Sequence, residues 1–485
     1  MRAPCATMLL LLGICAVAQA EEAAPPPAEI DPGAVAEQGE FGPAIMIEDI
    51  SVIGGGSTRR ELILRALPFA IGDVLSAGDP RLRRARFKVL ALGFFRDVEM
   101  SMRRGSRRGR VIVEILLEER GTVVLNRFWF GSSTIAPWWF GVDLSERNLL
   151  GSGISVGGGV VYASHDRVAN SDDQWAAELR LGVPAIGGSR WSSFGSLTRL
   201  SGSEAYQVAG PSNDTSPEDY RAFRYDRTTA RGGASYDVAA LARLSVAARA
   251  ELVDAELPLT PTRTLDDGRV ISTDLHLKDG RSRVVSATLS FDRDTRPDLA
   301  LPTSGSRLTL SAELSGRALG SSYDFVALRA RYERWWPLSS AGAIGLRLGG
   351  GAILGRAPRF DLLDVTDLNR MLAPRALGLL ISLSSPLNLL RTASDKPTLG
   401  EAGGAASAEY TYRLFGKSSR RIYGGALFVS AGLWGLSEAA FPKIRDRGIW
   451  SSLPIDLFID AGLRVDTDIG VFEFSLANTL GRVPR

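Results

Sequence analysis

From Arg120 onward the chain alternates apolar and polar positions in segments of about ten residues, separated by clusters of turn-forming residues. In Arg243 to Val253, Leu244, Val246, Ala248, Ala250 and Leu252 fall on one side, while Arg243, Ser245, Ala247, Arg249 and Glu251 fall on the other. A period of two is that of a strand, whose successive side chains point to opposite faces. The same alternation sets Leu308, Leu310, Ala312 and Leu314 against Arg307, Thr309, Ser311 and Glu313. It recurs at Val285, Ala287, Leu289 and Phe291, and at Phe472, Phe474 and Leu476 against Glu473 and Ser475. Strands of soluble sandwiches usually run to ~5–6 residues; these are longer, and their polar face carries arginines and carboxylates. About 15 such segments predict a transmembrane antiparallel β-barrel of about 15 to 16 strands over 121–485, apolar toward lipid and polar toward a lumen. A closed barrel satisfies every backbone group in the bilayer. Past the first twenty residues no apolar run reaches the 18 or so a helical span needs. Trp129, Trp138, Trp139, Trp175, Trp191, Trp335, Trp336, Trp434 and Trp450 all fall in this region, mostly toward segment ends, as interfacial girdles require. The competing reading is a large soluble all-β protein.

Ahead of the barrel, Ile45 to about Glu119 reads as strand, helix, helix, strand, strand. Ile45 to Ile53 ends at Gly54-Gly55-Gly56, and Ser57 or Thr58 can cap a helix carrying Leu62, Ile63, Ala66 and Leu67 up to the breaker Pro68. Asp79 caps a second helix with Pro80 at its first position; Leu82, Ala85, Val89 and Leu92 recur at helical spacing and Gly93 stands just beyond. Phe94 to Met102 and Val111 to Leu117 form a hairpin whose tip carries Arg103, Arg104, Arg107, Arg108 and Arg110. That tip is either solvated or in contact with anionic head groups or an acidic partner. Residues 21–43, rich in Ala, Pro and Glu, read as a flexible linker. Residues 1–20 read as a secretory signal peptide, with Arg2, an apolar stretch from Met8 to Val17 and Ala18-Gln19-Ala20 as the cleavage site.

Composition removes several function classes. With 57 basic and 54 acidic side chains the net charge is +3, and no basic helix with interleaved aromatics marks a nucleic-acid reader. The only cysteines, Cys5 and Cys15, lie in the signal peptide, so no disulfide is expected after cleavage. Two histidines, His165 and His276, exclude a multi-histidine zinc site. Asp292, Asp294 and Asp298 could hold a hard cation, but no Gly-centred coordination loop surrounds them, and they read better as turn residues. Gly54 to Thr58 lacks the lysine of a phosphate loop. No Gly-x-Ser-x-Gly elbow stands between a strand and a helix. No enzyme, cofactor or metal is expected.

The sequence resembles the BamA/TamA superfamily of outer-membrane assembly and translocation proteins, of the bacterial surface antigen type. Residues 44–120 look like a single POTRA domain of βααββ order. The motifs carrying this are Ile53-Gly54, Gly72-Asp73-Val74-Leu75, and Leu92-Gly93-Phe94-Phe95-Arg96-Asp97-Val98. In the barrel, Asn148-Leu149-Leu150-Gly151-Ser152-Gly153 is similar to an early strand turn, and Asp292-Arg293-Asp294-Thr295-Arg296 with Leu301-Pro302-Thr303-Ser304-Gly305 to a mid-barrel hairpin. The resemblance implies that the long loop from Leu354 to Gly400 folds into the lumen, with Arg375 and Gly378 of Pro374-Arg375-Ala376-Leu377-Gly378 at its tip and Glu409 as the partner of Arg375. A second carboxylate expected on the next strand is replaced by Ser430, and the final aromatic-ended strand has no counterpart before Arg485.

By this resemblance the protein lies in the bacterial outer membrane with its POTRA domain in the periplasm. It inserts or translocates other proteins, taking extended clients by strand addition at Phe94 to Met102 or Ile45 to Ile53. The partners implied are outer-membrane lipids, unfolded or exported client proteins and periplasmic accessory proteins, with no nucleic acid. The alternatives are a two-partner-type secretion pore and a passive or structural barrel.

Overall fold

The computed structural model describes residues 45–482 apart from 77–78, 91, 132–137, 166, 185, 187–188, 211–215, 240, 266, 299–300, 365–374, 381–398, 417–420 and 438–454. The expected signal peptide and linker lie outside the described residues. The chain divides into two compact units, one comprising residues up to 53, 67–87 and 99–116, the other 54–66, 88–98 and 117–485.

The first elements are β1 (Ile45–Ile53), α1 (Arg60–Ala66), β2 (Val74–Leu75), α2 (Pro80–Leu90), β3 (Phe95–Arg104) and β4 (Arg110–Glu119). They follow the expected order, with the two-residue β2 added between the helices. The sheet runs β2-β1-β4-β3, with β1 parallel to β4 from Ile47↔Val111 to Ile53↔Leu116. The punctuation of α2 follows from its sequence. The Asp79 carboxylate accepts from Arg81 N at 2.9 Å, filling a backbone donor that a helix start leaves unmatched. Gly93, at φ +79°, closes the other end by donating its N–H to Leu90 O at 2.9 Å.

The second unit holds a fifteen-strand sheet. Its strands are β5 (Val123–Gly131), β6 (Trp139–Leu149), β7 (Ile154–Ala163), β8 (Gln174–Val183), β9 (Trp191–Gln207), β10 (Tyr220–Ala239) and β11 (Ala242–Glu256). After a small hairpin of β12 (Thr262–Thr264) and β13 (Val270–Ser272) come β14 (Gly280–Asp294), β15 (Gly305–Ser315), β16 (Asp324–Pro337) and β17 (Gly342–Arg356). A long insertion carries β18 (Leu363–Asp364), β19 (Arg375–Ala376), β20 (Leu379–Leu380) and β21 (Leu399–Gly400), and the sheet ends with β22 (Ala402–Phe415), β23 (Ile422–Ser437), β24 (Ile455–Thr467) and β25 (Gly470–Arg482). The sheet order from β5 to β25 is sequential apart from the two excursions, and neighbouring strands pair antiparallel.

Burial in this sheet is inverted relative to a soluble protein. On β11, Val246 and Leu252 are 56% and 66% exposed, while Glu251, between them on the other face, is 1% exposed. Leu289, Leu314, Val429 and Phe474 likewise face out, while Asp143, Glu204, Arg227, Glu409 and Arg464 are buried. Apolar surface outside and charge inside is the arrangement a hydrocarbon solvent selects. Of the tryptophans expected to form interfacial girdles, Trp138 faces out near Tyr162 at one end, with ring centroids 5.2 Å apart, and Trp191 near Tyr236 at the other, 5.0 Å apart, whereas Trp139, Trp335 and Trp434 are buried, at 5%, 1% and 3% exposure, and Trp450 lies outside the described residues. Trp175 is in register with Ser201 on β9, so along β9 the levels differ by ten residues, or about 25 Å at a tilt of ~40°, the height of an outer-membrane apolar band. Turns at the Trp191 end are short, such as Asp468-Ile469 between β24 and β25; the long insertions leave the opposite end. No described helix is long and apolar enough to cross a membrane.

Candidate functional site: a charged, strapped lumen and an unpaired seam

Alternation puts every second residue of each strand inside, and barrel curvature brings those of neighbouring strands together. On β22 this places Glu409 and Thr411 in the interior, 1% and 5% exposed, as the register of that strand predicts. The Glu409 carboxylate accepts from both terminal nitrogens of Arg464 on β24, with Nη2 to Oε2 at 2.9 Å. It also accepts from Arg347 Nη1 on β17 at 2.6 Å and from Thr411 Oγ1 at 3.0 Å. Arg464 Nε reaches Glu473 on β25 at 2.5 Å, and its guanidinium lies 3.8 Å from the Phe428 ring centroid on β23. The result is a chain of charge, Arg347–Glu409–Arg464–Glu473, that fastens the last hairpin to the wall. Ser430, standing where a second carboxylate is expected, is in register with Glu409 on one side and Asp460 on the other. Asp460 is buried with Oδ1 lacking a hydrogen-bond partner.

A second network holds the start of the long insertion inside. Pro358 leads into a 3-10 turn, Arg359–Asp361, whose Phe360 and Asp361 are buried. Arg359 Nε donates to Glu204 on β9 at 2.6 Å, and the same glutamate accepts from Tyr225 OH at 2.5 Å. Asp361 takes both terminal nitrogens of Arg249 on β11, at 2.8 and 2.6 Å. Arg249 also lies 3.2 Å from Glu313 on β15. Arg227 on β10 pairs with Glu251 at 2.5 Å and stacks 3.6 Å from the Phe360 ring centroid. Planar guanidinium on carboxylate is the strong, geometrically specific form of such pairing. Farther along, the β19–β20 hairpin turns through Leu377 and Gly378, both at positive φ. Ala376 and Leu379 are fully buried in an apolar cluster with Leu200, Phe223 and Tyr225, and Arg227 Nη1 lies 3.5 Å from Gly378 O. The tip of the insertion thus rests on β9 and β10. The side chain of Arg375 lies outside the described residues, and the acceptors of Glu409 are occupied by Arg347, Arg464 and Thr411.

The other anticipated residues separate into two kinds. Phe94, Phe95 and Val98 are buried, at 4%, 3% and 0% exposure, whereas Ile53 is exposed. Gly54, at φ +89°, admits no side chain, because a Cβ would come 2.3 Å from Leu117 O. In the arginine-rich hairpin, Arg103 pairs with Glu114 at 3.0 Å, and Glu48 accepts from Ser106 N at 2.7 Å. That bond, with the positive charge of Arg110 and Arg107 nearby, holds the Glu48 carboxyl below its ordinary value. Arg104, Arg107 and Arg108 are exposed. Asp292 accepts from Arg307 and Thr309 at 3.0 and 2.7 Å, and Asp294 from Arg296 at 2.7 Å. These aspartates are occupied by arginines, and no metal-binding group of acidic, His or Cys residues occurs among the described residues.

The motif Asn148 to Gly153 has a local physical reason. Asn148 Nδ2 donates to Thr58 Oγ1 at 2.8 Å, its Oδ1 accepts from Gly153 N at 2.7 Å, and Gly151 O accepts from Arg59 N at 3.0 Å. A Cβ on Gly151 would lie 2.0 Å from Ser57 O. Sequence reasoning missed Glu204, Arg227, Arg359, Asp361 and Arg464. Their signal was ionic residues at inward positions of the alternation, which marks a face and leaves the pairing open.

The fold and this interior define an outer-membrane β-barrel with a strapped, charged lumen. Residues 148–361 match the Omp85 superfamily domain, in agreement with the resemblance of the sequence to BamA/TamA-type members of that superfamily. Among solved structures, CdiB from Escherichia coli is similar with a TM-score of 0.58 at 14% identity, over 90% of this chain and 73% of that one. CdiB from Acinetobacter baumannii is similar with a TM-score of 0.51 at 11% identity, over 90% and 74%. BamA from Haemophilus ducreyi lacking POTRA domains 1–3 gives 0.49 at 16% identity, over 90% and 82%. The CdiB likenesses concern the fold alone. No curated protein matches the chain in sequence. The matched domain is that of outer-membrane insertion and translocation barrels.

Proposed function

We propose that this protein inserts client proteins into the outer membrane through the seam between β5 and β25. The single observation that carries the reading is the state of that seam. The two strands end the fifteen-strand order, and no ladder joins them among the described residues. The crossing is made by Leu125 N, donating to Ile469 O at 2.8 Å. Unpaired strand edges are templates for another strand, and a seam with so little to break can accept one at small cost.

Residues 44–120 act in this reading as a periplasmic POTRA domain that receives extended clients at β3, the outer strand of its sheet, by main-chain hydrogen bonding. Ile53, Gly54, Gly93, Phe94, Phe95 and Val98 shape that domain. Arg103, Arg104, Arg107, Arg108 and Arg110 contact anionic head groups or an acidic periplasmic accessory protein. Arg375 and Gly378 belong to the device that keeps the long insertion in the lumen, and Glu409 to the charged wall that faces it. A secretion pore is the second reading, and the ionic lining favours it, because a polar wall suits passage of an unfolded chain once the insertion is displaced.

The test is a Leu125→Cys/Ile469→Cys pair in a chain whose only cysteines are Cys5 and Cys15. Cross-linking is expected to stop accumulation of outer-membrane proteins in a host dependent on this chain, and reduction to restore it. Normal assembly with the seam locked, or unchanged outer-membrane protein levels on depletion, defeats the insertion reading. Lost export of a dedicated protein with normal assembly selects the pore.

A further inference from the structure

The outward face of β14 carries a charge that the barrel does not balance. Ser282, Val284 and Ser286 are buried, at 6%, 0% and 2% exposure, so Arg281 and Arg283 share the lipid face with Val285, Leu289 and Phe291. Arg293 closes that face at the other end and is also exposed. From Arg283 to Arg293 is ten residues, about 25 Å along the membrane normal at a tilt of ~40°. That is the height of the apolar band, so the two arginines bracket it, with Arg283 at the head-group level of the leaflet on the long-loop side.

Neighbouring arginines at that level are matched by carboxylates. Arg281 Nε lies 3.3 Å from Asp254 on β11, and Arg317, in the turn after β15, lies 3.1 Å from Asp324. Arg283 is in register with Leu252, which is 66% exposed to the outside. Its backbone is fixed, since Arg283 N donates to Ser322 Oγ at 3.1 Å and Ser322 N to Arg283 O at 2.7 Å. Its guanidinium has no hydrogen-bond or ion-pair partner among the described residues. A guanidinium beside lipid-facing leucines reaches for the interface, and its fork matches a phosphate oxygen pair. We infer that Arg283, flanked by Arg281 and Arg317, binds the phosphate of an anionic lipid head group in that leaflet.

The test uses the full chain in phosphatidylcholine nanodiscs doped with diphosphoryl lipid A or, separately, with phosphatidylglycerol. Lipids retained after mild delipidation are counted by native mass spectrometry. The wild-type protein should retain both phosphate-exposing lipids in preference to phosphatidylcholine. Arg283→Gln should reduce that preference roughly five-fold, the effect of one arginine near an anionic surface. Arg283→Lys should keep part of it, and Arg199→Gln, which removes the partner of Asp226, should leave it unchanged. Resistance of the folded band to detergent confirms that each variant is a barrel. Equal retention of phosphatidylcholine by the wild type, or wild-type preference in Arg283→Gln, overturns the assignment. Retention of lipid A alone supports it and narrows the ligand to a phosphorylated glycolipid.

Discussion

The guanidinium of Arg464 grips both oxygens of Glu409, two strands away, and through Nε holds Glu473 on the final strand at 2.5 Å. One buried arginine therefore couples the barrel wall to the strand that borders the seam. Removing one member of a buried pair strands the other and typically costs ~3–5 kcal/mol, less where luminal water reaches it. Arg464→Ala and Glu409→Ala should each lower the temperature at which the barrel unfolds in detergent, and the double variant should be little worse than either. Additive losses in the double-mutant cycle would show that the two residues act separately. Arg464→Lys, which keeps the charge and loses the fork, should fall between.

Arg375 is tested by its own cycle with Glu409. With the acceptors of Glu409 taken by Arg347, Arg464 and Thr411, Arg375→Ala is expected to act on the insertion and Glu409→Ala on the wall. The pair should therefore couple by less than about 0.5 kcal/mol, the ordinary scatter of independent sites. Coupling above ~1 kcal/mol would make Arg375 a direct partner of Glu409.

The strap from Arg356 to Asp364 should come loose when its anchors are cut. Arg249→Ala and Asp361→Ala each expose an uncompensated charge, and each is expected to make the insertion protease-sensitive and to raise single-channel conductance. The double variant should resemble the singles. Conductance and proteolysis unchanged from wild type in both singles would mean that the apolar seat of Ala376 and Leu379 holds the insertion by itself.

Glu119 sets a pH dependence. Burial alone would raise its carboxyl, but donation from Ser57 N and Thr58 N, at 3.1 and 2.9 Å, more than offsets this and holds it below the ordinary carboxylate value. A group whose folded pKa is lowered stabilises above its unfolded value and stops doing so as pH falls through the folded one. The protection factors of the Ser57 and Thr58 amides, taken against intrinsic exchange at each pH, should therefore be high at neutral pH and fall once the pH drops below the ordinary carboxylate range. Glu119→Gln should remove the pH dependence, and an unchanged profile in that variant would assign it to another group.

Much of the architecture lay in the one-dimensional pattern. A period of two over long segments, with leucines on one side and arginines on the other, favours a barrel in lipid over a large soluble sheet, because both faces must meet a solvent that suits them. The Asp79-Pro80 start and Gly93 stop of α2 were equally legible, since capping is decided within one turn of helix. Spacing could not decide which charges meet in the lumen. Arg249 and Asp361 are 112 residues apart, and Arg359 and Glu204 are 155 apart. Their encounter depends on the curvature of the wall and on the inward path of the insertion after β17. Alternation assigns a side chain to a face, while its partner is chosen by closure of the sheet in three dimensions. For that reason Glu409 could be placed in the interior from its register, and Arg464, its principal partner, could be found only in the folded barrel.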